Sequence, residues 1–153
     1  MPLDMNSLSL LVFTDASFAN NKDLSSQIGF VIVLTDRNQS ANILYWSSIK
    51  YKRVTRSVLA SELYGLAHGF DMGAAIKSTI QRILQLEQLP LVLCTDSKSL
   101  YDCLVKLGTT QEKRLMVDLM CLRQAYERRE IIEVKWIRGG NNPADAITKA
   151  KPY

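Results

Sequence analysis

Histidine is nearly missing: the 153-residue chain has one, His68, beside 15 acidic residues. Cysteine is scarce too, and Cys94, Cys103 and Cys121 form no CxxC pair. Together these shortages exclude a disulfide scaffold and a Cys/His zinc site, and they fit a reducing compartment. The cysteines then read as small buried hydrophobes. Long apolar runs are missing as well. The longest, Phe30–Leu34, has five residues, whereas a membrane-spanning helix needs about 20. The opening Met1-Pro2-Leu3-Asp4 has neither the basic nor the apolar region of a signal peptide. Asn38-Gln39-Ser40 is therefore taken as a chance sequon. The expectation is an intracellular protein with no membrane partner. The 7 glycines form no phosphate-cradling loop after the first apolar segment, which argues against a nucleotide-binding α/β domain.

What is present is ordinary for one globular domain: 47% hydrophobic and 22% charged residues. The net charge of +4 allows a polyanionic partner without demanding one. The basic residues are uneven, however. Lys50, Lys52, Arg53 and Arg56 fall in a seven-residue stretch without an acid. Such a stretch is either a solvated loop or a phosphate-facing edge.

Residues 1–7 read as a flexible end, residues 8–149 as the domain, and 150–153 as a C-terminal end. Leu8–Phe13 leads into Thr14-Asp15 as a buried strand ending at an acid. Ile28–Leu34 and Asn42–Ser48 follow across short turns, which suggests an antiparallel meander. The period then becomes helical. Leu59, Leu63, Leu66 and Phe70 define a first helix, capped by Thr55 or Ser57, with a possible break near Gly73–Ser78. Leu91–Cys94 is a short strand that again ends in Thr-Asp. Ser97 or Ser99 opens a helix to Leu107, with Gly108 as its stop. Glu112–Arg129 is an amphipathic helix with Leu115, Leu119, Leu122 and Tyr126 inward. Ile131–Ile137 is a fifth strand, and Pro143 starts a last helix over Ala144–Lys149. The order β-β-β-α-β-α-α-β-α implies an α/β domain with a mixed sheet. Trp46 and Trp136, inside strands, are expected in the core.

Four acids stand out by position. Asp15 and Asp96 each end a buried strand in a Thr-Asp context, where ligand sites of α/β sheets gather. Each alone could cap a turn; the repetition favours a shared site. Glu62 borders the leucine stripe of the first helix, where a carboxylate is costly unless paired or metal-bound. Asp145 lies in the first turn of the last helix, a place the helix dipole alone would explain. Converging carboxylates raise one another's pKa values, and divalent cations reverse that penalty. Oxygen donors suit magnesium or manganese. Two such ions about 4 Å apart serve in-line phosphodiester displacement.

Thr14-Asp15-Ala16-Ser17, Ser61-Glu62-Leu63-Tyr64, Cys94-Thr95-Asp96-Ser97, Trp136-Ile137-Arg138-Gly139 and Asn142-Pro143-Ala144-Asp145-Ala146-Ile147-Thr148-Lys149 occur in this order. The set resembles a ribonuclease H domain. The closing Ala-Asp-x-x-Thr-Lys, and Trp46-Ser47-Ser48 before a basic stretch, resemble most the domain ending the Pol polyprotein of copia-type LTR retrotransposons, fungal ones in particular. The resemblance covers roughly residues 8–149. It implies a five-stranded mixed sheet with its first three strands antiparallel. It also implies catalytic, metal-binding carboxylates at Asp15, Glu62, Asp96 and Asp145, with two Mg2+ (or Mn2+) ions as cofactors.

The implied activity is cleavage of the RNA strand of RNA–DNA hybrids during reverse transcription, beside a reverse transcriptase domain of the same polyprotein. The implied location is the cytoplasm or a virus-like particle. Candidate substrate contacts are Ser17, Asn20 and Asn21 after the first acid, Lys50, Lys52, Arg53 and Arg56 before the Glu62 helix, and Ser97 and Lys98 beside Asp96. Hybrid recognition rests on groove shape, phosphates and 2′-hydroxyls, which suits such residues. Tyr51 could stack on a sugar or base, although a surface tyrosine is commoner. One departure stands out: the loop Gly139-Gly140-Asn141-Asn142 has no histidine, where many ribonucleases H carry one. His68, in the first helix, is read as structural. The competing reading is a catalytically inactive module of the same fold, serving as a connection or interaction surface.

Overall fold

The computed structural model describes residues 2–18, 25–51, 57–106 and 113–148, without the side chain of Ile147. Its elements are β1 (Ser9–Ser17), β2 (Ser26–Thr35), β3 (Ala41–Tyr51), α1 (Val58–Leu84), β4 (Leu91–Thr95), α2 (Lys98–Val105), α3 (Met116–Glu127), β5 (Glu133–Trp136) and α4 (Asp145–Thr148). Short 3₁₀ turns at Lys113–Leu115 and Gly139–Asn141 precede α3 and α4. The five strands lie in the order β3-β2-β1-β4-β5. β1–β2 and β2–β3 are antiparallel; β1–β4 and β4–β5 are parallel. This is the mixed sheet the strand spacing implies, with its meander first and its helix-separated strands after.

Alternation along β1 divides the core. Leu10 and Val12 point toward α1, and with Phe30, Ile32, Leu63, Leu66, Leu93, Leu119 and Leu122 they form the main cluster. Leu11 and Phe13 point the other way, where Val31, Val33 and Ala144 make a small second cluster. That face is covered in part by α4, four residues long. Ser57 caps α1 by accepting from Ala60 N at 3.0 Å, and Ser97 caps α2 by accepting from Leu100 N at 3.3 Å. Gly108 and Leu107 lie outside the described residues. Residues 2–7 carry contacts of their own: Asp4 N donates to Asp36 Oδ2 at 2.8 Å, and Arg37 pairs with Asp4 at 3.0 Å. No helix among the described residues is long and apolar enough to cross a membrane.

Several expectations are corrected. α1 does not break near Gly73–Ser78; it runs unbroken for 27 residues. Gly65, Gly69 and Gly73 recur every four residues and form one stripe against the sheet. They interrupt the apolar pattern because the sheet supplies the bulk there. A Cβ at Gly69 would stand 2.7 Å from Thr14 Cγ2 and 3.0 Å from Val12 Cγ1. Both neighbours are fully buried, β-branched strand residues, stiff at χ1. Gly69→Ala is therefore expected to destabilise the chain by about 1–2 kcal/mol, because overpacking outweighs the roughly 1 kcal/mol of helix propensity gained. Urea melts would check this, and a more stable variant would refute the close-packing argument.

α3 begins at Met116 after its 3₁₀ turn and ends at Glu127, two residues before the expected Arg129, with Tyr126 only partly buried; Glu112, the expected start, lies outside the described residues. Cys94 and Cys103 are buried, but Cys121 is exposed on the outer side of α3. Neither tryptophan is in the core. Trp46 is 63% exposed because β3 is an edge strand on the thinly covered face, and Trp136 is 46% exposed at the end of edge strand β5.

Candidate metal and nucleic-acid site

β1 and β4 are parallel neighbours in register Thr14↔Thr95, so Asp15, which lies inside β1 rather than at its expected end, and Asp96, just past β4, stand side by side. α4 begins with Asp145 and sits against β1. Carboxylate oxygens of Asp15, Asp96 and Asp145 come within 4.8 Å of one another. Glu62 arrives from α1 one turn before Gly65, where a Cβ would stand 3.4 Å from the Asp15 carbonyl oxygen. Glu62 is 7% exposed, and its Oε2 has no hydrogen-bond partner.

Burial and mutual repulsion dominate the electrostatics of these acids. Burial, more than anything else, pushes Glu62 up to about 9, and Asp15 and Asp96 add repulsion. A hydrogen bond from Ala16 N opposes the rise. Burial also lifts Asp15 to about 6; Thr148 restrains it, while Asp96 and Asp145 raise it. An orphaned buried carboxylate oxygen beside three converging carboxylates fits a hard divalent cation. Asp15, Asp96, Asp145 and Glu62 are the residues that would hold it.

Two residues that hold the acids were given no role from sequence. Thr148 Oγ1–H donates to Asp15 Oδ2 at 2.7 Å. Asn142, 5% exposed, spends its whole amide here. Nδ2 donates to Thr14 O at 2.9 Å and to Asp96 Oδ2 at 3.3 Å, while Oδ1 accepts from Ala144 N at 3.0 Å. Their only sequence signal is their spacing, three residues either side of Asp145. Thr148→Val is expected to raise Asp15 above about 6 and cost about 1–2 kcal/mol of stability at pH 8, since the lost bond serves a buried ionised group. Carboxyl NMR titration reads the first effect; an unmoved Asp15 would sink it.

The register also places some of the candidate substrate contacts. Ser17, Gln27 and Lys50 lie abreast on β1, β2 and β3, one row beyond Asp15, Gly29 and Ser48. Side chains two residues apart share a face. Ser17 and Lys50 therefore share Asp15's face, with Gln27 and Ser48 between them, joined by a 2.8 Å bond from Gln27 Nε2 to Ser48 Oγ. Ser97 is committed to capping α2, and Lys98 is exposed at its start. Asn20, Asn21, Lys52, Arg53 and Arg56 lie outside the described residues. Tyr51 stacks on Tyr64 with centroids 4.8 Å apart, and His68 is exposed, edge-on to Tyr51 at 6.2 Å. Tyr51 thus spends one face inside the protein.

Sheet order, helix placement and chain connectivity define a ribonuclease H-like fold. Ribonuclease H1 from the archaeon Halobacterium salinarum superposes with a TM-score of 0.68 at 15% identity, covering 91% of this chain and 93% of that one. LC11 ribonuclease H1, solved in complex with an RNA/DNA hybrid, gives 0.64 at 17% identity over 91% and 93%. The foamy viral protease–reverse transcriptase, solved in complex with an RNA/DNA hybrid, gives 0.60 at 14% identity over 97% of this chain and 20% of that one. No protein-family model matches the sequence, and no curated protein sequence matches it.

Proposed function

We propose that this chain is a metal-dependent ribonuclease H that cleaves the RNA strand of RNA–DNA hybrids. The observation that carries this reading is the convergence of Asp15, Asp96 and Asp145 beside the unpartnered Glu62 carboxylate, on a ribonuclease H-like fold. Two bound Mg2+ or Mn2+ ions would supply charge neutralisation for the attacking water and the departing oxygen. The chain's own residues set the geometry. Asn142 fixes Asp96, Thr148 fixes Asp15, and close packing of α1 delivers Glu62. Water adds to phosphorus and the bond to the 3′-oxygen breaks, leaving 3′-hydroxyl and 5′-phosphate ends.

The basic edge at Lys50, continuing through Lys52, Arg53 and Arg56 in sequence, would meet backbone phosphates, and Ser17, Asn20 and Asn21 would meet sugars. The motif order and the foamy viral neighbour support a setting beside a reverse transcriptase, in a copia-type retrotransposon polyprotein acting in the cytoplasm or a particle.

Labelled hybrid with Mg2+, Mn2+ or EDTA is the test. Cleavage is expected with either metal and not with EDTA, and each metal is expected to raise the melting temperature. A chain that binds hybrid, takes up no metal and never cleaves would be the inactive module instead.

A further inference from the structure

Beside Asp96, between α2 and β5, the surface opens into a cavity of about 330 Å³ whose lining includes Lys98, Lys106, Lys135 and Trp136 together with the acids Asp102 and Glu133. Lys106 is engaged by Asp102 at 3.4 Å. Lys98 and Lys135 have no acidic partner among the described residues. The indole of Trp136 is half in water yet held in place: its Nε1–H donates to Asp96 O at 3.1 Å. A fixed, half-exposed aromatic face flanked by lysines is the pattern of single-strand nucleic-acid grooves, where bases stack and cations track the backbone. The five strands span about 19 Å from edge to edge. Lys50 stands at the β3 edge and this cavity at the β5 edge, with the acids between them.

We propose that this cavity is a nucleotide subsite, in which a base or sugar next to the scissile position packs on Trp136 and its phosphate is met by Lys98. The proposal rests on the hybrid-cleaving reading. Lys135 contributes less, because Glu133 lies two residues back on the same side of β5 and opposes an anion there. The hydrogen bond to Asp96 O couples the two places: a strand seated on Trp136 is registered against the acid that would handle its phosphate.

The chain has 2 tryptophans, so Trp46→Phe leaves Trp136 as the sole indole. In that variant, titration with hybrid in EDTA is expected to quench the indole emission with the same midpoint as hybrid anisotropy. Trp136→Ala is expected to weaken hybrid binding roughly 5- to 100-fold. Lys98→Gln is expected to lower the slope of log K against log salt by about 0.7–0.9. Unchanged emission on hybrid binding, with Lys98→Gln keeping the full slope, overturns the subsite and leaves hybrid cleavage standing. A parent chain that binds no hybrid overturns both. Should Trp136→Ala fail to fold, the emission and the Lys98→Gln slope decide alone.

Discussion

Hybrid cleavage by Asp96→Asn is expected to fall at least ~10²-fold, the scale of losing one electrostatic stabiliser of the transition state. The substitution keeps the size of the side chain and an oxygen that can accept from Asn142 Nδ2, 3.3 Å away in the parent. It removes one negative charge from a cluster whose oxygens lie within 4.8 Å. Folding is expected to survive, since like-charge repulsion in the metal-free cluster is relieved. Asp145→Asn is expected to cost less, because Asp145 is half-buried and opens a helix of four residues. Cleavage in Mg2+ and then Mn2+, with melts of each variant in EDTA, checks both. Parent-like turnover by Asp96→Asn would refute the metal-site reading.

The second large effect is on stability. In EDTA the native chain binds the Glu62 proton up to about pH 9, whereas an unfolded chain releases it near 4.5. Between those values the native state holds more protons, so unfolding free energy declines as pH rises. The steepest possible slope for one such group is about 1.4 kcal/mol per pH unit. Asp15 adds a decline of the same sign between about 3.8 and 6. Glu62→Gln has nothing to protonate and is expected to lose the upper part of this slope. It should match the parent near pH 5 and exceed it by several kcal/mol, on that same scale, at pH 8. It should also be inactive. Denaturant melts from pH 5 to 9 test this, and parallel profiles for the two chains would show that Glu62 is not held protonated.

Much of this was legible beforehand, for identifiable reasons. Thr14-Asp15 and Thr95-Asp96 sit in register on the parallel neighbours β1 and β4, so their acids must stand together, although β1 runs on past Asp15 to Ser17. Glu62 could be placed because its leucine neighbours set the buried stripe. What escaped was long-range. The glycine stripe of α1 looked like weak helix, because nothing in a helical period says that a sheet will fill the gaps. Trp46 and Trp136 looked like core residues, because local pattern cannot tell an edge strand from a central one. Thr148 and Asn142 escaped for the same reason: their partners lie 133 and 128 positions away.

Those last two bonds also bear on which part of the fold opens most readily. They close loops of 128 and 133 positions, a large entropy cost, and the four residues of α4 bury little in return. α4 is therefore expected to open locally while the main cluster stays packed. Each such opening would free Asp15 from Thr148 and carry Asp145 away from the other acids in one movement.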